Sequence, residues 1–545
     1  MKVLIIGGVA GGMSAATRLR RLNEKAEVVV IERGPHVSFA NCGLPYHIGG
    51  TIEEREKLLL QTPESLHARF NLDVRIQTEA LKVNPEEHIV VLKDLRSGKT
   101  YEEKYDRLIL SPGASPIRPP LPGIEHALTL RNIPDMDRIN RHLENSRAEQ
   151  AVVIGGGFIG LEMAENLVHR GLKVHVVEAG PQVLAPLDPE MAALVQKEVV
   201  KQGIKLHLMD ALHSIEDQGK RVVLKSGETI PADLIILAIG VKPEVALAKD
   251  AGLKLGERGG ILESDTLQTS DPDIYAVGDA IEKINLAGEA GLIPLAWSAN
   301  RQGRLIADHI SGRTIHVGHQ LGTAIVKVFD LTVATTGLNE KQLQKSGRPF
   351  AVVHTHASSH ASYYPGAETL SLKLLFNRTT REIYGAQAIG KEGADKRIDV
   401  IATAIRGGIL ADELSDLELA YAPPYSSAKD PVNMLGYMAE NLLEGLPTVQ
   451  WHEVNPEDIL LDVRDPHEYT RGHLRGAINI PLNQLRSRHQ ELPAGPITAY
   501  CQVGLRGYLA TRLLRQLGHE VRNLDGGYTT FKLGRPDQVT EPVKS

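Results

Sequence analysis

The stretch Gln150-Ala151-Val152-Val153-Ile154-Gly155-Gly156-Gly157-Phe158-Ile159-Gly160-Leu161 decides the fold. Gln150–Ile154 reads as a buried strand, Gly155–Gly160 as a glycine turn, and Leu161–Arg170 as a helix. A second β-branched run, Lys173–Val177, ends at the acidic Glu178. The turn fits G-x-G-x-x-G. Gly155 permits a tight turn, Gly157 lets a pyrophosphate approach the backbone, and Gly160 lets helix and strand pack. The helix N-terminus then stabilises phosphates. A lone match is weak, but here strand, helix and acid all stand where the fingerprint needs them. Glu178 is placed to hydrogen-bond a ribose 2′-hydroxyl and to repel a 2′-phosphate, which favours NADH; NADPH stays open wherever nearby cations compensate.

The same grammar occurs at the start of the chain. Lys2–Ile6 is a short apolar run, followed by Gly7, Gly8, Val9, Ala10, Gly11 and Gly12, a helical stretch Met13–Leu22, and a strand Glu27–Ile31 ending at Glu32. Val9 stands in the second glycine slot. Further buried runs, Leu108–Leu110 and Leu234–Ile239, lead into Ser111-Pro112-Gly113 and Gly240. Thr269–Ala280 reads as a strand entering a Gly278-Asp279 turn; Asp279 is either a plain turn residue or an acceptor for a polyol such as ribityl. Two βαβ units predict an α/β fold with two nested Rossmann-like domains, over 1–120 with 250–320 and over 121–249. Residues 321–445 read as an α+β domain, with strands near Thr323–Val328, Leu372–Phe376 and Ile383–Gln387 and a helix near Ile398–Arg406. Leu446-Pro447 reads as a linker, and 450–545 as a separate α/β unit.

Composition narrows the class. The 545 residues carry 61 Lys and Arg against 67 Asp and Glu, a net charge of −6, so no basic excess is available for a nucleic-acid partner. Two cysteines cannot build a disulfide framework, which points to a reducing compartment. The apolar run Val3–Ile6 is too short for a signal peptide. No stretch of ~18 apolar residues exists to span a membrane. The expectation is a cytoplasmic protein.

Each cysteine has a distinctive setting. Cys42 lies in Ser38-Phe39-Ala40-Asn41-Cys42-Gly43-Leu44-Pro45-Tyr46, after the Glu32 strand end. A lone cysteine is more often a small buried hydrophobe than a nucleophile, yet a helix N-terminus or a cation at this place lowers a thiol pKa. Cys501 opens a loop that closes at Gly507 before a helical run Tyr508–Leu517. Successive N–H groups of such a loop form an anion nest suited to a thiolate or a persulfide, and Arg506 adds positive charge. Asp462 and Asp465 read as turn residues that support the fold. Arg18 and Arg21, three apart on the first helix, share a face that is either solvated or a phosphate contact. No residue spacing is read as a metal site.

The set Gly7–Gly12, Ser38–Tyr46, Ser111–Pro116, Gly155–Gly160 and Ile274–Ala280 resembles the FAD-dependent pyridine nucleotide–disulfide oxidoreductases over about residues 1–445. The single cysteine, without a C-x4-C partner, resembles the branch of coenzyme A disulfide reductases and NADH oxidases or peroxidases. His360–Gly366 and Tyr421–Pro431 are similar to the coenzyme A disulfide reductase version. Leu461–Arg464, Gly472–Pro481 and Cys501–Gly507 resemble a rhodanese domain. The whole resembles the fused coenzyme A disulfide/persulfide reductases, with one departure, Trp297-Ser298 after Pro294-Leu295-Ala296.

The resemblance implies a homodimer that binds FAD, NADH and coenzyme A. FAD contacts fall on Gly7, Gly8, Val9, Ala10, Gly11, Gly12, Glu32, Arg33, Asn41, Ser111, Pro112, Gly113, Gly278, Asp279, Pro294, Leu295 and Ala296. Nicotinamide-cofactor contacts fall on Gly155, Gly157, Phe158, Ile159, Gly160, Glu178 and Gly240. Cys42 is the redox thiol beside the flavin and Cys501 the sulfur carrier. Tyr363, Tyr421 and Tyr425 serve substrate sulfur, Tyr363 and Tyr421 from the partner subunit. Ser14, Arg18, Arg21, Ser38, Asn41 and Lys429 meet the substrate. An NADH oxidase or peroxidase cycling Cys42 through a sulfenic acid, and a non-enzymatic redox sensor, are the rival readings.

Overall fold

A computed structural model describes residues 1–540. The chain divides into two compact units, one of Met1–Pro181 with Gly203–Gly322, the other of Gln182–Gln202 with residues 323–540.

The first unit holds two parallel sheets. Lys2–Ile6 pairs with Glu27–Ile31 on one side and Arg107–Leu110 on the other, and Asp73–Arg75 and Ile274–Ala276 form the edges. Its central strands are buried on both faces, which is why they read as continuous Val/Ile/Leu runs. The second sheet has the order Lys205–Leu208, Lys173–Glu178, Gln150–Ile154, Leu234–Leu237, all parallel. It is nested in the first: the chain leaves after Leu110, completes the second sheet, and returns to pair Ile274 with Leu108. Each parallel sheet is accompanied by a three-stranded antiparallel one, over 78–104 and 212–231, which the sequence reading missed. Their half-exposed strands are short and interrupted by register shifts, so the period-two signal is weak.

Two helix starts differ from expectation. The first helix spans Ala10–Leu22 and the second Phe158–His169, so the helices open inside the glycine runs. Close packing explains this. A Cβ on Gly12 would lie 1.9 Å from the Gly7 carbonyl oxygen, and one on Gly303 of helix Ala296–Ile310 would lie 2.1 Å from that of Gly11. Glycine is required there by helix contact as well as by any ligand.

The second unit contains a five-stranded antiparallel sheet, ordered Ala324–Val328, Leu331–Gly337, Ile383–Gly390, Thr369–Phe376, Ala351–Ser358. Helices Ala394–Gly407 and Pro431–Leu443 belong to its core, which includes Leu370, Leu374, Ile398, Ile401, Val432 and Leu435. A parallel sheet follows, ordered Thr448–Val449, Val521–Leu524, Ile497–Tyr500, Ile459–Asp462, Ile478–Asn479. The expected linker is instead part of this packing: Leu446 is buried, and the Pro447 carbonyl accepts the Asn523 N–H at 2.8 Å. An apolar residue beside a strand edge gains more from burial than from solvation. Helix Pro189–Lys201 also belongs to this unit.

Among the described residues, no helix is long and apolar enough to cross a membrane.

Candidate active site

Cys42 sits in the turn Asn41–Gly43 just before the short helix Leu44–Ile48. Its thiol is exposed and lies 3.8 Å from Asn41 Oδ1. The expectation of a lowered pKa is corrected. Crowding by surrounding atoms raises it, and the carboxylates of Glu162 and Asp279 raise it further. Helix Leu44–Ile48 has a single turn and little dipole to offer. The Tyr46 hydroxyl donates to Glu162 Oε1 at 3.3 Å. Burial and Glu162 push Tyr46 up to about 12, and burial raises Glu162. Glu162 was not read from the sequence; its signal is its place two residues beyond Gly160, on the first turns of a helix that follows a cofactor-type turn.

The two glycine turns are built alike. The N–H groups of Gly8 and Gly34 donate to Glu32 at 2.9 and 2.6 Å. Those of Gly156 and Gly180 donate to Glu178 at 2.8 and 2.7 Å. Each carboxylate is thereby fixed at a strand end, facing its turn. Gly155 has φ +112° and a Cβ there would lie 2.3 Å from the Ala238 carbonyl oxygen, whereas a Cβ at Gly157 would meet no protein atom within 4 Å. Protein packing thus demands the first glycine and leaves space at the second, which fits a dinucleotide.

At the Gly278–Ala280 turn, Asp279 Oδ1 is buried with no hydrogen-bond partner, and so is Gln302 Nε2. Gln302 Oε1 accepts the Gly278 N–H at 3.2 Å. An orphaned acceptor and an orphaned donor associated with one turn fit a hydroxylated ligand, since buried polar groups are otherwise paired. The residues therefore suit FAD. Burial raises the Asp279 pKa against the pull of Lys283 and Arg131. Arg131 donates to the Pro112 carbonyl at 3.0 Å and to Ser115 Oγ at 2.7 Å. Lys283 is buried, brought down to about 8, and donates to the Ile293 carbonyl at 2.6 Å and Ser298 Oγ at 2.8 Å. It thereby anchors the Pro294-Leu295-Ala296 segment. Ser298 is buried as its partner, while Trp297 points outward at 65% exposure. Gln302 lies 24 residues beyond Gly278 and Arg131 18 beyond Gly113, and Lys283, four beyond Asp279, belongs to no motif, so all three escaped the sequence reading.

Other expected positions have internal partners. Arg18 donates to Asp308 at 2.9 and 2.7 Å, so only Arg21 of that pair is exposed. Ser14 donates to Asn300 at 2.6 Å, and Arg33 faces Glu79 at 3.5 Å. Ser38, at φ 46°, donates its N–H to the Gly8 carbonyl at 2.9 Å. Val9 precedes the first helix and Ala10 opens it. Phe158 opens the second helix, with Ile159 exposed. Gly113 and Gly240 take positive φ of 73° and 109°.

In the second unit the hydroxyls of Tyr363 and Tyr421 meet at 2.9 Å. Buried Arg397 joins their loops, donating to the Ser359 carbonyl at 2.9 Å and to Asp430 at 2.8 Å. Tyr425 is 73% exposed, and Lys429 lies 5.7 Å from the Tyr437 ring centroid. Cys501 is buried, and its sulfur accepts the Gly504 N–H at 3.2 Å. Helix Leu505–Gln516 begins three residues earlier than expected, so Arg506 belongs to its first turn. Arg506 is held by Glu468 through two contacts of 2.7 Å rather than standing free beside the thiol. Asp462 is buried against Arg464, and Asp465 caps helix Pro466–Thr470.

Residues 1–303 match the pyridine nucleotide-disulphide oxidoreductase family, 323–431 its dimerisation domain, and 446–533 the rhodanese-like domain. The chain is 37% identical to the coenzyme A disulfide reductase of Staphylococcus epidermidis over 444 residues, 81% of this chain and 100% of that protein. The reduced Bacillus anthracis CoADR-RHD superposes with TM-score 0.98 at 52% identity, covering 99% of each chain. The NAD-dependent persulfide reductase of A. fulgidus superposes with TM-score 0.92 at 37% identity, covering 97% of this chain and 100% of that one. The chain belongs to the pyridine nucleotide–disulfide oxidoreductase family, and is an α/β flavoprotein oxidoreductase carrying the family's dimerisation domain and a C-terminal rhodanese-like domain.

Proposed function

We propose that this enzyme uses NADH to reduce coenzyme A disulfide, coenzyme A persulfide or polysulfide at Cys42, as a homodimer, with the C-terminal domain handling sulfane sulfur on Cys501. The observation that carries the reading is the contrast between the two thiols: one exposed and without a second cysteine near it in sequence, the other buried with the Gly504 N–H on its sulfur. The relatives' names, a coenzyme A disulfide reductase and a persulfide reductase, support it.

Bound FAD supplies the passage of two electrons from the nicotinamide. The chain supplies the rest. Glu32 and Glu178 orient two ribose-bearing cofactors, and Asp279 with Gln302 meets hydroxyl groups. Cys42, with no second cysteine near it in sequence, attacks coenzyme A disulfide as the thiolate: the new Cys42–sulfur bond forms as the substrate S–S bond breaks, and its electron pair leaves on coenzyme A thiolate. Tyr363 and Tyr421 of the partner subunit donate to the sulfur that leaves as thiolate. Glu162 and Tyr46, both biased toward the protonated form, stand ready to hold a proton beside Cys42. Coenzyme A is a fitting small thiol because its phosphates give cations such as Arg21 and Lys429 something to hold.

The test is steady-state NADH oxidation with O2, H2O2, coenzyme A disulfide and coenzyme A persulfide compared side by side. Preference for the sulfur substrates by at least tenfold in kcat/KM supports the reading. Faster turnover with O2 or H2O2 replaces it with the oxidase or peroxidase.

A further inference from the structure

The second unit buries a cluster of ionisable groups that the function above does not use. Lys373 has no exposed surface, and its ammonium contacts Asp188 at 2.9 Å, Glu190 at 2.6 Å and Glu340. The three carboxylates could frame a cation, but the lysine occupies that role itself. Glu190 also meets His354 Nε2 at 3.0 Å, and His354 Nδ1 meets Asp525 Oδ2 at 2.6 Å. All of these side chains are buried.

The network ends at the sulfur-transfer loop. Asp525 is followed by Gly526 and Gly527, both in the left-handed region. A Cβ on Gly526 would lie 3.1 Å from that of His354, and one on Gly527 would lie 2.5 Å from the Cys501 carbonyl oxygen and 3.1 Å from the Gly504 nitrogen. The next two N–H groups, of Tyr528 and Thr529, donate to the carbonyls of Cys501 and Gln502 at 2.8 and 3.0 Å. Thr529 Oγ1 accepts from Gln502 Nε2 at 3.0 Å. A second histidine of the same strand, His356, meets Thr530 Oγ1 at 2.7 Å and Ser371 Oγ at 2.8 Å. Segment 525–530 is thus held on one side by two histidines of strand Ala351–Ser358, and on the other holds the backbone of the Cys501 loop.

We propose that His354 is a positioning residue for Cys501: through Asp525 it fixes the segment that aims the N–H of Gly504 at the sulfur, so that the sheet carrying His354 sets the geometry of sulfane-sulfur loading. This rests on the reading of Cys501 as the sulfur carrier. The charges facing His354 are Glu190 and Asp525, with Lys373 and His356 beyond them. Burial disfavours its imidazolium, but the bonds to Asp525 and Glu190 outweigh that and lift it to about 9. His354 therefore stays charged at neutral pH and donates to both carboxylates. A nest binds an anion only while its N–H groups converge, and a displacement of about 1 Å in a reacting group costs about 100-fold.

The loading step balances without an external oxidant. The Cys501 thiolate attacks a sulfane sulfur of tetrasulfide. The new S–S bond forms as the old one breaks, and its electron pair leaves on trisulfide. Cys501 persulfide is the product, which the amide nest stabilises.

The experiment uses the full-length holoenzyme and sodium tetrasulfide, following persulfide on the Cys501 peptide by rapid quench and mass spectrometry. His354→Ala is expected to slow loading at least tenfold. His354→Asn, whose amide reaches the Nδ1 position and donates to Asp525, is expected to recover to within threefold of the parent. Coenzyme A disulfide turnover, which reads Cys42, is expected to stay within twofold in both. Parent-like loading by His354→Ala, or equal slowing by both variants at unchanged melting temperature, overturns the proposal. If His354→Ala does not fold, Asp525→Asn, which weakens the same His354 contact, takes its place: a threefold or greater fall in loading supports the proposal, and no change overturns it. Cys501→Ser, assayed for polysulfide turnover, separates the two readings. Unchanged turnover there rejects Cys501 as carrier, while the loading rates still decide whether His354 positions it.

Discussion

The phenolic oxygens of Tyr363 and Tyr421 lie 2.9 Å apart, one hydroxyl donating to the other. Fifty-eight residues separate them in sequence, and Arg397 bridges the loops that carry them. The shared proton raises the Tyr363 pKa, chiefly through the Tyr421 hydrogen bond. A tyrosine pair of this kind can donate to a departing thiolate while one member replenishes the other. Tyr421→Phe is expected to lower coenzyme A disulfide turnover by about 100-fold, the low end of what one general acid contributes, and to leave NADH-dependent flavin bleaching unchanged. Stopped-flow absorbance separates the two; an unaltered turnover moves the role to Tyr425 or Tyr363.

Cys42→Ser should retain FAD and its reduction by NADH while losing turnover with every sulfur substrate. Hydride transfer needs no thiol, and sulfur reduction does. Residual turnover above a few per cent of the parent rejects Cys42 as the redox centre.

Glu178 accepts two backbone N–H groups, from Gly156 of the glycine turn and from Gly180. Glu178→Ala removes the carboxylate that would repel a 2′-phosphate. The NADH/NADPH ratio of kcat/KM should fall roughly tenfold or more, the scale of one close charge interaction. Losing two charge-assisted bonds should also cost about 1–3 kcal/mol of stability. A constant ratio at reduced stability shows a purely structural carboxylate.

Cys501→Ser should separate the substrates. Coenzyme A disulfide contains no sulfane sulfur, so its reduction should persist, whereas polysulfide turnover should drop strongly. Both activities measured on one preparation decide this: equal loss places Cys501 in the reductase site itself, and no loss makes the C-terminal domain a passenger.

The buried imidazolium of His354 gives a pH signature. Its folded pKa of about 9 stands above the ordinary value near ~6.5. Its stabilisation is therefore complete below about pH 6.5 and is lost as the pH rises through 9. Melting temperatures from pH 7 to 10 should fall more steeply for the parent than for His354→Gln. Parallel curves show that His354 is not charged in the folded state.

Sequence alone carried the central parallel strands and both glycine turns, because strands buried on two faces are written as unbroken apolar runs and a phosphate-type turn needs glycine at fixed spacing, while short edge strands such as Asp73–Arg75 and Lys205–Leu208 went unread. Local chemistry was likewise visible in Cys501, Glu32 and Glu178, each beside a recognisable strand end, and in Cys42 within Ser38–Tyr46. The antiparallel strands over 78–104 and 212–231 were not, since half-exposed, bulged strands blur the alternation that marks them. Helix starts inside the glycine runs were decided by packing, with Gly303 pressed against Gly11. The raised pKa of Cys42 came first from crowding by surrounding atoms and then from Glu162 and Asp279, 120 and 237 positions away. Pro447 looked like a linker and proved to be a sheet partner. Most distant of all is the charge network. Asp188, Glu190, Glu340, His354, Lys373 and Asp525 carry no shared motif, and each alone reads as a polar surface residue. Only the tertiary structure puts them in one buried place, where a charge is tolerable solely because its partners, hundreds of residues apart in sequence, arrive together.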